Sequence, residues 1–175
     1  MDSLCAPASL VDPQVIQAMK NLASSTPTGN FVEVGVYKGG TAWHLAEVAK
    51  SQNRDLYLYD TFSGIPHRGD LDSHRVGDFS DTSVETVRNR IPYAQVIQGI
   101  FPQTMVPMGD ISFAHLDCDQ YQSVFESSQA LIPFMVKGGI IWFDDVFCLE
   151  GATEAFKQLF SWPPHTVCGK AIVRF

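Results

Sequence analysis

The segment at residues 30–50, NFVEVGVYKGGTAWHLAEVAK, determines the predicted fold. Apolar residues dominate its first seven positions, which predicts a buried strand over residues 30–36. Gly39 and Gly40 then begin a predicted helix over residues 39–50, so the chain passes from strand to helix through a glycine-rich turn. A buried strand followed closely by a helix is typical of α/β proteins, in which helices cover both faces of a parallel sheet.

The same alternation of helices and strands continues on both sides of this segment. A first helix is predicted to begin at Asp12 and Pro13, an N-cap residue followed by proline at the first helical position, and to end at Gly29. Thr82 and Glu85 have the spacing of a capping box, which predicts a helix start. The remaining predicted elements are strands over residues 55–60, 95–98, 111–116 and 140–143, a helix capped by Asp119, and a helix over residues 153–160.

The final segment, HTVCGKAIVRF at residues 165–175, predicts two short strands around Gly169 and Lys170. Such a terminal hairpin adds an antiparallel strand to an otherwise parallel sheet. The sequence therefore predicts a single α/β domain over residues 1–175. Its sheet is mostly parallel, is covered by helices on both faces, and ends in a C-terminal antiparallel hairpin.

The composition excludes several classes of protein. The chain has 175 residues, of which 45% are hydrophobic and 18% charged, so it fits one globular domain and not a collagen-like, disordered or coiled-coil chain. No apolar stretch approaches ~18 residues, so no transmembrane helix is expected. Residues 1–14 lack the basic start and apolar core of a signal peptide. The four cysteines include no C-x-x-C pair, which disfavours a zinc cluster, and a reduced, cytoplasmic location is expected.

The net charge of −7 restricts the expected partners. Nucleic acids and anionic membranes attract clustered lysine and arginine, so neither is expected to bind this acidic chain. A small neutral or cationic ligand, or a bound metal cation, suits the charge better.

Two features at the ends of the first two strands predict a nucleoside site, because ligands of such sheets bind beyond the carboxyl ends of the strands. The glycines from Gly35 to Gly40 let backbone N–H groups approach a ligand closely. A tight turn that needs glycine for its own shape is the alternative. Asp60 ends the second strand, where a carboxylate can accept both ribose hydroxyls, or can instead cap the following loop. The missing G-x-G-x-x-G pattern disfavours a dinucleotide-binding dehydrogenase.

Four carboxylates follow the fourth and fifth predicted strands. Asp117 and Asp119 follow the fourth strand, and Asp144 and Asp145 follow the fifth. If these strands are neighbours, the four side chains meet at one edge of the sheet, where like charges repel unless a cation lies among them. Mg²⁺ suits a few carboxylates and water. The alternative treats Asp119 and Asp145 as caps and leaves the other two acids unexplained.

Three histidines lie close to these strand ends. His115 is in the fourth strand and, by alternation, faces the same side as Asp117. A lone histidine in a strand is more often a hydrogen-bonded core group than a base. His67 and His74 belong to a long polar loop over residues 62–81, which is either a solvated loop or a lid over the substrate.

Four motifs follow one another in this chain: EVGVYKGG at residues 33–40, DTFSGIP at residues 60–66, LDCDQYQS at residues 116–123 and GGIIWFDD at residues 138–145. Their order and spacing resemble the macrocin O-methyltransferase (TylF-like) family. Members of that family are class I S-adenosylmethionine-dependent enzymes that methylate sugar hydroxyls in natural products. The resemblance extends from about residue 31 to residue 160.

The resemblance implies a Rossmann-like sheet of seven strands, with S-adenosylmethionine bound over the first two. It also implies Mg²⁺ held by Asp117, Asp144 and Asp145. The cofactor site implied by the same match comprises Glu33, Gly35, Gly39 and Gly40 at the methionine end, Asp60 and Thr61 at the ribose, Gly99, Ile100 and Phe101 near the adenine, Asp117, and more weakly residues 80–81 at the base.

The implied reaction transfers a methyl group to a hydroxyl of a small molecule, either a sugar or a sugar-bearing natural product. Coordination of the hydroxyl to Mg²⁺ lowers its pKa. Asp117 or Asp119 is the first choice as proton acceptor, with His115 as the next. A metal-independent methyltransferase and a cofactor-binding protein without turnover remain alternatives.

The resemblance also bears on assembly. Family members usually carry an N-terminal extension that helps to close over the substrate, whereas about 30 residues precede the first predicted strand here. The expected pocket is therefore either open or completed by another subunit, so a homo-oligomer is left open.

Overall fold

A computed structural model describes residues 7–175. The prediction that no signal peptide is present rests partly on residues 1–6, and Cys5 lies among them, so both fall outside the described residues. Within residues 7–175, no helix combines the length and the apolar character needed to cross a lipid bilayer.

Helices and strands alternate along the described chain, as the sequence predicts. The helices are α1 (Pro13–Ser25), α2 (Gly40–Ser51), α3 (Val84–Arg90), α4 (Tyr121–Leu131) and α5 (Glu150–Leu159), and a short 3-10 helix (Ile132–Phe134) follows α4. The strands are β1 (Asn30–Val34), β2 (Leu56–Asp60), β3 (Gln95–Gln98), β4 (Ile111–Leu116), β5 (Met135–Phe143), β6 (His165–Val167) and β7 (Lys170–Arg174).

All seven strands form one sheet in the order β3-β2-β1-β4-β5-β7-β6. The first five strands are parallel to one another, whereas β7 runs antiparallel to β5 and β6 runs antiparallel to β7. The predicted α/β fold with a C-terminal antiparallel hairpin is confirmed. Because the chain leaves β1 in opposite directions towards β2 and β4, the crevice at the carboxyl ends of these strands is the expected ligand site.

The sheet is buried on both faces because successive residues of its central strands point to opposite sides. On one face, Phe31 and Phe113 pack in the same core cluster as residues of α1, α2 and α3. On the other face, Val32 and Ala114 pack with residues of α4 and α5. The near-continuous apolar runs of these strands follow from this two-sided burial.

Helix α1 begins as predicted but ends earlier. The side chain of Asp12 accepts a hydrogen bond from the backbone N–H of Gln14, and α1 ends at Ser25. Gly29, predicted to end the helix, lies in the connection to β1, where a Cβ would stand 2.9 Å from the Cβ of Ser112. Its role is therefore the close approach of the chain to β4 and not the capping of α1.

The cap of α3 is Ser83 and not Thr82. The Ser83 side chain accepts a hydrogen bond from the backbone N–H of Thr86, at 3.2 Å. The Thr82 hydroxyl instead donates to the backbone carbonyl of Tyr37, which ties the start of α3 to the glycine turn after β1. Both hydroxyls therefore have hydrogen-bond partners, one in the first turn of α3 and one in the glycine turn after β1.

Candidate active site

A cleft of about 370 Å³ opens at the carboxyl ends of β1, β2, β4 and β5. Its described walls include most of the predicted site residues, although Glu33, Gly39 and His115 are not among them. Residues missed by the sequence analysis also line it, notably Lys170 and the segment from Ala8 to Asp12. The predicted residues that the structure brings together are Gly35, Gly40, Asp60, Thr61, Gly99, Ile100, Phe101, Asp117, Asp119, Asp144 and Asp145.

Gly35 allows the loops after β1 and β4 to touch. Its φ is +90°, and a Cβ at this position would lie 1.8 Å from the backbone oxygen of Asp117. Only glycine fits, because a side chain would overlap the neighbouring backbone. Gly40 has a similar role towards the chain before α1, since its Cβ would lie 2.7 Å from the Cα of Ser9.

Asp60 organises the glycine turn. One carboxylate oxygen accepts hydrogen bonds from the backbone N–H groups of Val36 and Tyr37, at 2.8 and 2.7 Å, and the other accepts from the N–H of Phe62, at 2.7 Å. A carboxylate offers about four acceptor positions, so Asp60 keeps capacity for about one further donor. The capping role weighed in the sequence analysis is therefore present, and ribose binding stays a prediction.

Glu33 and His115 are buried behind the wall of the cleft. Glu33 accepts a hydrogen bond from the Thr41 hydroxyl, and its Oε1 lies 3.2 Å from His115 Nδ1. Burial opposes protonation of His115, but the carboxylates of Asp144 and Glu33 raise its pKa well above the usual value. Neither residue is among the described walls of the cleft, and the hydrogen-bonded core position weighed for His115 fits its complete burial. The role of Glu33 at the methionine end and that of His115 as a base stay predictions.

Three carboxylates gather at the end of the cleft nearest β4 and β5. One oxygen each from Asp117, Asp119 and Asp145 lies within 4.8 Å of the others. Burial, together with neighbouring carboxylates, raises the pKa of Asp119 to about 8 and that of Asp145 to about 6. Asp145 Oδ2 is buried with no hydrogen-bond partner among the described residues. The three carboxylates bring oxygen donors and uncompensated negative charge together, and a hard divalent cation binds to such donors. The residues present therefore fit Mg²⁺.

Asp144 is not part of this gathered trio, although the resemblance places it among the metal ligands. Its Oδ2 accepts a hydrogen bond from Lys170 Nζ at 2.6 Å, and Lys170 also donates to its backbone oxygen at 2.9 Å. Burial alone would raise the pKa of Asp144, but His115 and Lys170 lower it overall. Lys170 reaches Asp144 because β7 pairs with β5 in a register that sets Ala171 opposite Phe143. Only this register, which the sequence analysis did not predict, could have pointed to Lys170.

Helix α4 is capped from the long loop over residues 61–83 and not by Asp119. Asp119 has a φ of +58°, and the backbone N–H of Tyr121 donates to Oδ1 of the buried Asp72, at 2.8 Å. Asp72 Oδ2 also accepts from the N–H of Gly69, at 2.7 Å. The loop is thereby fastened beside the acidic cluster, and its His74 lies 3.8 Å from Asp119.

Other parts of this loop lie at or near the wall of the cleft. Phe79 lines the cleft and packs edge-on against Tyr37. Asp81 is exposed and accepts hydrogen bonds from Tyr37 and Lys38. Neither residue 80 nor residue 81 is among the described walls of the cleft. Contact of this region with an adenine base, and closure of the loop as a substrate lid, remain predictions.

We expect Asp72→Ala to release the loop from α4. The change removes the partners of two backbone N–H groups and should lower the free energy of unfolding by about 1–3 kcal/mol. Denaturant titration measures this loss, and limited proteolysis should show faster cleavage within residues 61–83. The matched control is Asp70→Ala, which alters an exposed acid of the same loop. Equal stability and equal cleavage rates in both variants would show that Asp72 does not fasten the loop.

A comparison with protein families identifies the chain. The family described as macrocin O-methyltransferase (TylF) matches residues 13–161. The chain belongs to the macrocin O-methyltransferase family. A curated relative, 8-demethyl-8-(2,3-dimethoxy-alpha-L-rhamnosyl)-tetracenomycin-C 4'-O-methyltransferase of Streptomyces olivaceus, is 28% identical over 155 residues. The match covers 77% of this chain and 58% of that relative, so the family member described here spans little more than half of the relative's length.

Solved methyltransferase structures share the fold. The O-methyltransferase NovP superposes with a TM-score of 0.80 at 18% identity, over 95% of this chain and 81% of NovP. The calicheamicin methyltransferase CalS11 gives a TM-score of 0.70 at 19% identity, over 93% of this chain and 77% of CalS11. An O-methyltransferase of Bacillus cereus, solved in complex with SAH, gives 0.59 at 14% identity, over 87% of this chain and 70% of that chain. These likenesses confirm the Rossmann-like architecture implied by the sequence resemblance.

Proposed function

We propose that this family member is an S-adenosylmethionine-dependent O-methyltransferase that methylates a hydroxyl of a sugar or of a sugar-bearing natural product, with the help of a divalent cation. The observation that carries the proposal is the meeting of two features in one cleft. The glycine turn with Asp60 and the cluster of carboxylates both line this cleft, and they meet where Gly35 contacts the backbone of Asp117. The S. olivaceus relative is named for methylation of a rhamnosyl product, which supports a sugar acceptor.

The donor end is built by the glycine turn. Asp60 holds the N–H groups of Val36 and Tyr37, which fixes the turn in the shape that S-adenosylmethionine would meet. When bound, S-adenosylmethionine supplies an activated methyl group on a sulfonium. Phe101 and Ile100 provide apolar surface on the same cleft, which suits the predicted adenine end. The protein then mainly aligns acceptor and donor, an effect that can contribute ~7–11 kcal/mol.

The acceptor end is built by carboxylates. Asp117 and Asp145 belong both to the metal site implied by the resemblance and to the trio that the structure gathers, so we assign them to the cation. When bound there, Mg²⁺ supplies charge that lowers the pKa of a hydroxyl. We assign proton acceptance to Asp119, because it lies beside Asp117 and Asp145 in the gathered trio without being a ligand that the resemblance implies, and because its pKa is raised to about 8. A bound cation would lower that pKa towards neutrality.

The first test is calorimetric titration with S-adenosylhomocysteine, with and without Mg²⁺. We expect binding in both conditions, and a screen of sugars and catechols for methyl transfer would follow. Asp60→Ala should weaken binding by at least about tenfold, because the variant loses the group that shapes the turn as well as the predicted ribose contact. The matched control is Asp55→Ala, at the opposite end of β2.

Each outcome separates the alternatives. No binding of S-adenosylhomocysteine by the unaltered chain would contradict the proposed donor. Binding without methyl transfer to any acceptor would favour a cofactor-binding protein without turnover. Methyl transfer that persists in EDTA would favour the metal-independent alternative.

A further inference from the structure

A second groove lies between the long loop over residues 61–83 and helix α5. Its volume is about 600 Å³. Its walls include Leu71 from the loop, Phe147 and Leu149 from the turn between β5 and α5, and Thr153, Glu154 and Lys157 from α5. None of the described residues that line this groove also lines the cleft, so the groove is a separate cavity of the surface.

Large apolar side chains are exposed in and beside this groove. Phe147 is 45% exposed, and Trp162 is 47% exposed, with ring centroids 5.9 Å apart. Leu71, from the loop, is 37% exposed. Lys157 Nζ lies 5.0 Å from the centre of the Trp162 ring. Single exposed apolar residues need no explanation, whereas a cluster of them bordered by polar groups is typical of a binding surface.

The turn that carries Phe147 begins at the acidic cluster of the cleft. Phe147 follows Asp145 by two residues, so their Cα atoms are at most about 7 Å apart. The backbone N–H groups of Cys148 and Leu149 both donate to the backbone oxygen of Asp145, each at 2.9 Å. These two hydrogen bonds hold the turn folded, so the aromatic ring stays next to the cluster.

The loop side of the groove is fastened to the same cluster. Leu71 precedes Asp72, whose Oδ1 accepts a hydrogen bond from the backbone N–H of Tyr121 at 2.8 Å. Tyr121 follows Asp119 by two residues, and His74 of the loop lies 3.8 Å from Asp119. Both walls of the groove therefore begin beside carboxylates of the cleft. A molecule whose hydroxyl lies at these carboxylates can extend into the groove.

We propose that the groove binds the flat apolar aglycone, which is the non-sugar part, of a glycoside whose sugar hydroxyl is methylated in the cleft. The inference rests on the proposed function and names its acceptor class, a sugar joined to an aromatic group rather than a free sugar. The cleft of about 370 Å³ is near the lower end of the ~300–1,000 Å³ that hold one drug-sized ligand. Donor and reacting sugar would fill it, which leaves the rest of a larger acceptor outside.

The size of the groove favours a small molecule over a second copy of the chain. A stable protein interface buries roughly 800 Å² on each partner, over about 20–30 residues. The exposed apolar surface here is carried mainly by Leu71, Phe147 and Trp162, around a concave space of about 600 Å³. That volume lies within the range of small-molecule sites, and Glu154 and Lys157 supply the few polar groups that orient a ligand there.

The test compares naphthyl glycosides with methyl glycosides of the same sugars, by calorimetric titration of the full chain with Mg²⁺ and S-adenosylhomocysteine present. We expect the unaltered chain to bind a naphthyl glycoside at least about tenfold more tightly than its methyl counterpart. Phe147→Ala and Trp162→Ala should each reduce this preference at least about fivefold, because each removes an aromatic surface. Neither change should alter the affinity for the methyl glycoside by more than about twofold.

Two further variants separate the ring from the fold. Phe147→Tyr keeps the aromatic ring and should keep the preference for naphthyl glycosides. Phe134→Ala is the matched control, because Phe134 is also 37% exposed but lies in the 3-10 helix at the amino end of β5. It should bind both glycosides as the unaltered chain does.

Equal affinity for naphthyl and methyl glycosides, or no binding of either, would overturn the proposal. A preference that survives both Phe147→Ala and Trp162→Ala would also overturn it. If sedimentation shows that Phe147→Ala converts a dimer into a monomer, the surface is a contact between copies and not an acceptor site.

The donor is decided separately by titration with S-adenosylhomocysteine alone. A chain that binds S-adenosylhomocysteine but shows no preference for naphthyl glycosides keeps the proposed donor and loses the aglycone site. A chain that shows the preference but transfers no methyl group keeps the aglycone site and loses the proposed reaction.

Discussion

Replacing Asp145 with asparagine should abolish divalent cation binding and lower the rate of methyl transfer at least about 100-fold. Asp145 shares the gathered trio with Asp117 and Asp119, and one of its oxygens is buried without a hydrogen-bond partner among the described residues. Asparagine has the same shape but no charge, so the cleft keeps its walls and loses one anionic ligand. Calorimetry with Mg²⁺ and turnover of an identified acceptor measure the two effects.

The control separates loss of the cation from loss of the fold. Asp110→Asn alters an exposed acid at the amino end of β4, away from the cleft, and should behave as the unaltered chain. The Asp145 variant should still bind S-adenosylhomocysteine within about threefold of the unaltered chain, because the substitution changes neither the glycine turn nor Asp60. Full activity of the Asp145 variant in the presence of EDTA would refute a role for the cation.

The sequence predicts those parts of the site that depend only on which residues follow one another along the chain. Apolar runs place the strands, and the parallel topology brings their carboxyl ends to one edge. Asp60, Asp117 and Asp145 are therefore found from their positions at or just after the end of a strand. The glycine turn is found in the same way. These inferences need only neighbouring residues and a rule about parallel sheets.

The parts that the sequence does not predict depend on distant pairing. Asp72 caps α4 from 49 residues away, and nothing near Tyr121 marks it as the partner. Lys170 meets Asp144 through the register of β7 on β5, which a short hairpin does not fix by itself. Alternation gives the face of His115 correctly, but its burial follows from the strands on either side, where Glu33 and Trp142 are its partners in register.

The second large effect is expected for Gly35→Ala. The added Cβ would lie 1.8 Å from the backbone oxygen of Asp117, and alanine would also have to adopt a φ of +90°. The backbone at residue 35 and the backbone at Asp117 can avoid this overlap only by moving apart, which separates β1 from the loop after β4. The free energy of unfolding should therefore fall by at least about 3 kcal/mol. Denaturant titration measures the loss, and cation affinity should fall with it because Asp117 is displaced.

Gly77→Ala distinguishes the clash from the strain of the backbone angle. Gly77 has a φ of +89°, almost the same as Gly35, yet a Cβ added there would meet no described atom within 4 Å. Alanine at this position should cost only about 1–2 kcal/mol, which is the strain of the left-handed conformation alone. The difference between the two variants then measures the contact between the loops after β1 and β4. If both variants lose the same stability, the contact with Asp117 does not require glycine at position 35. The glycine is then needed only for its positive φ.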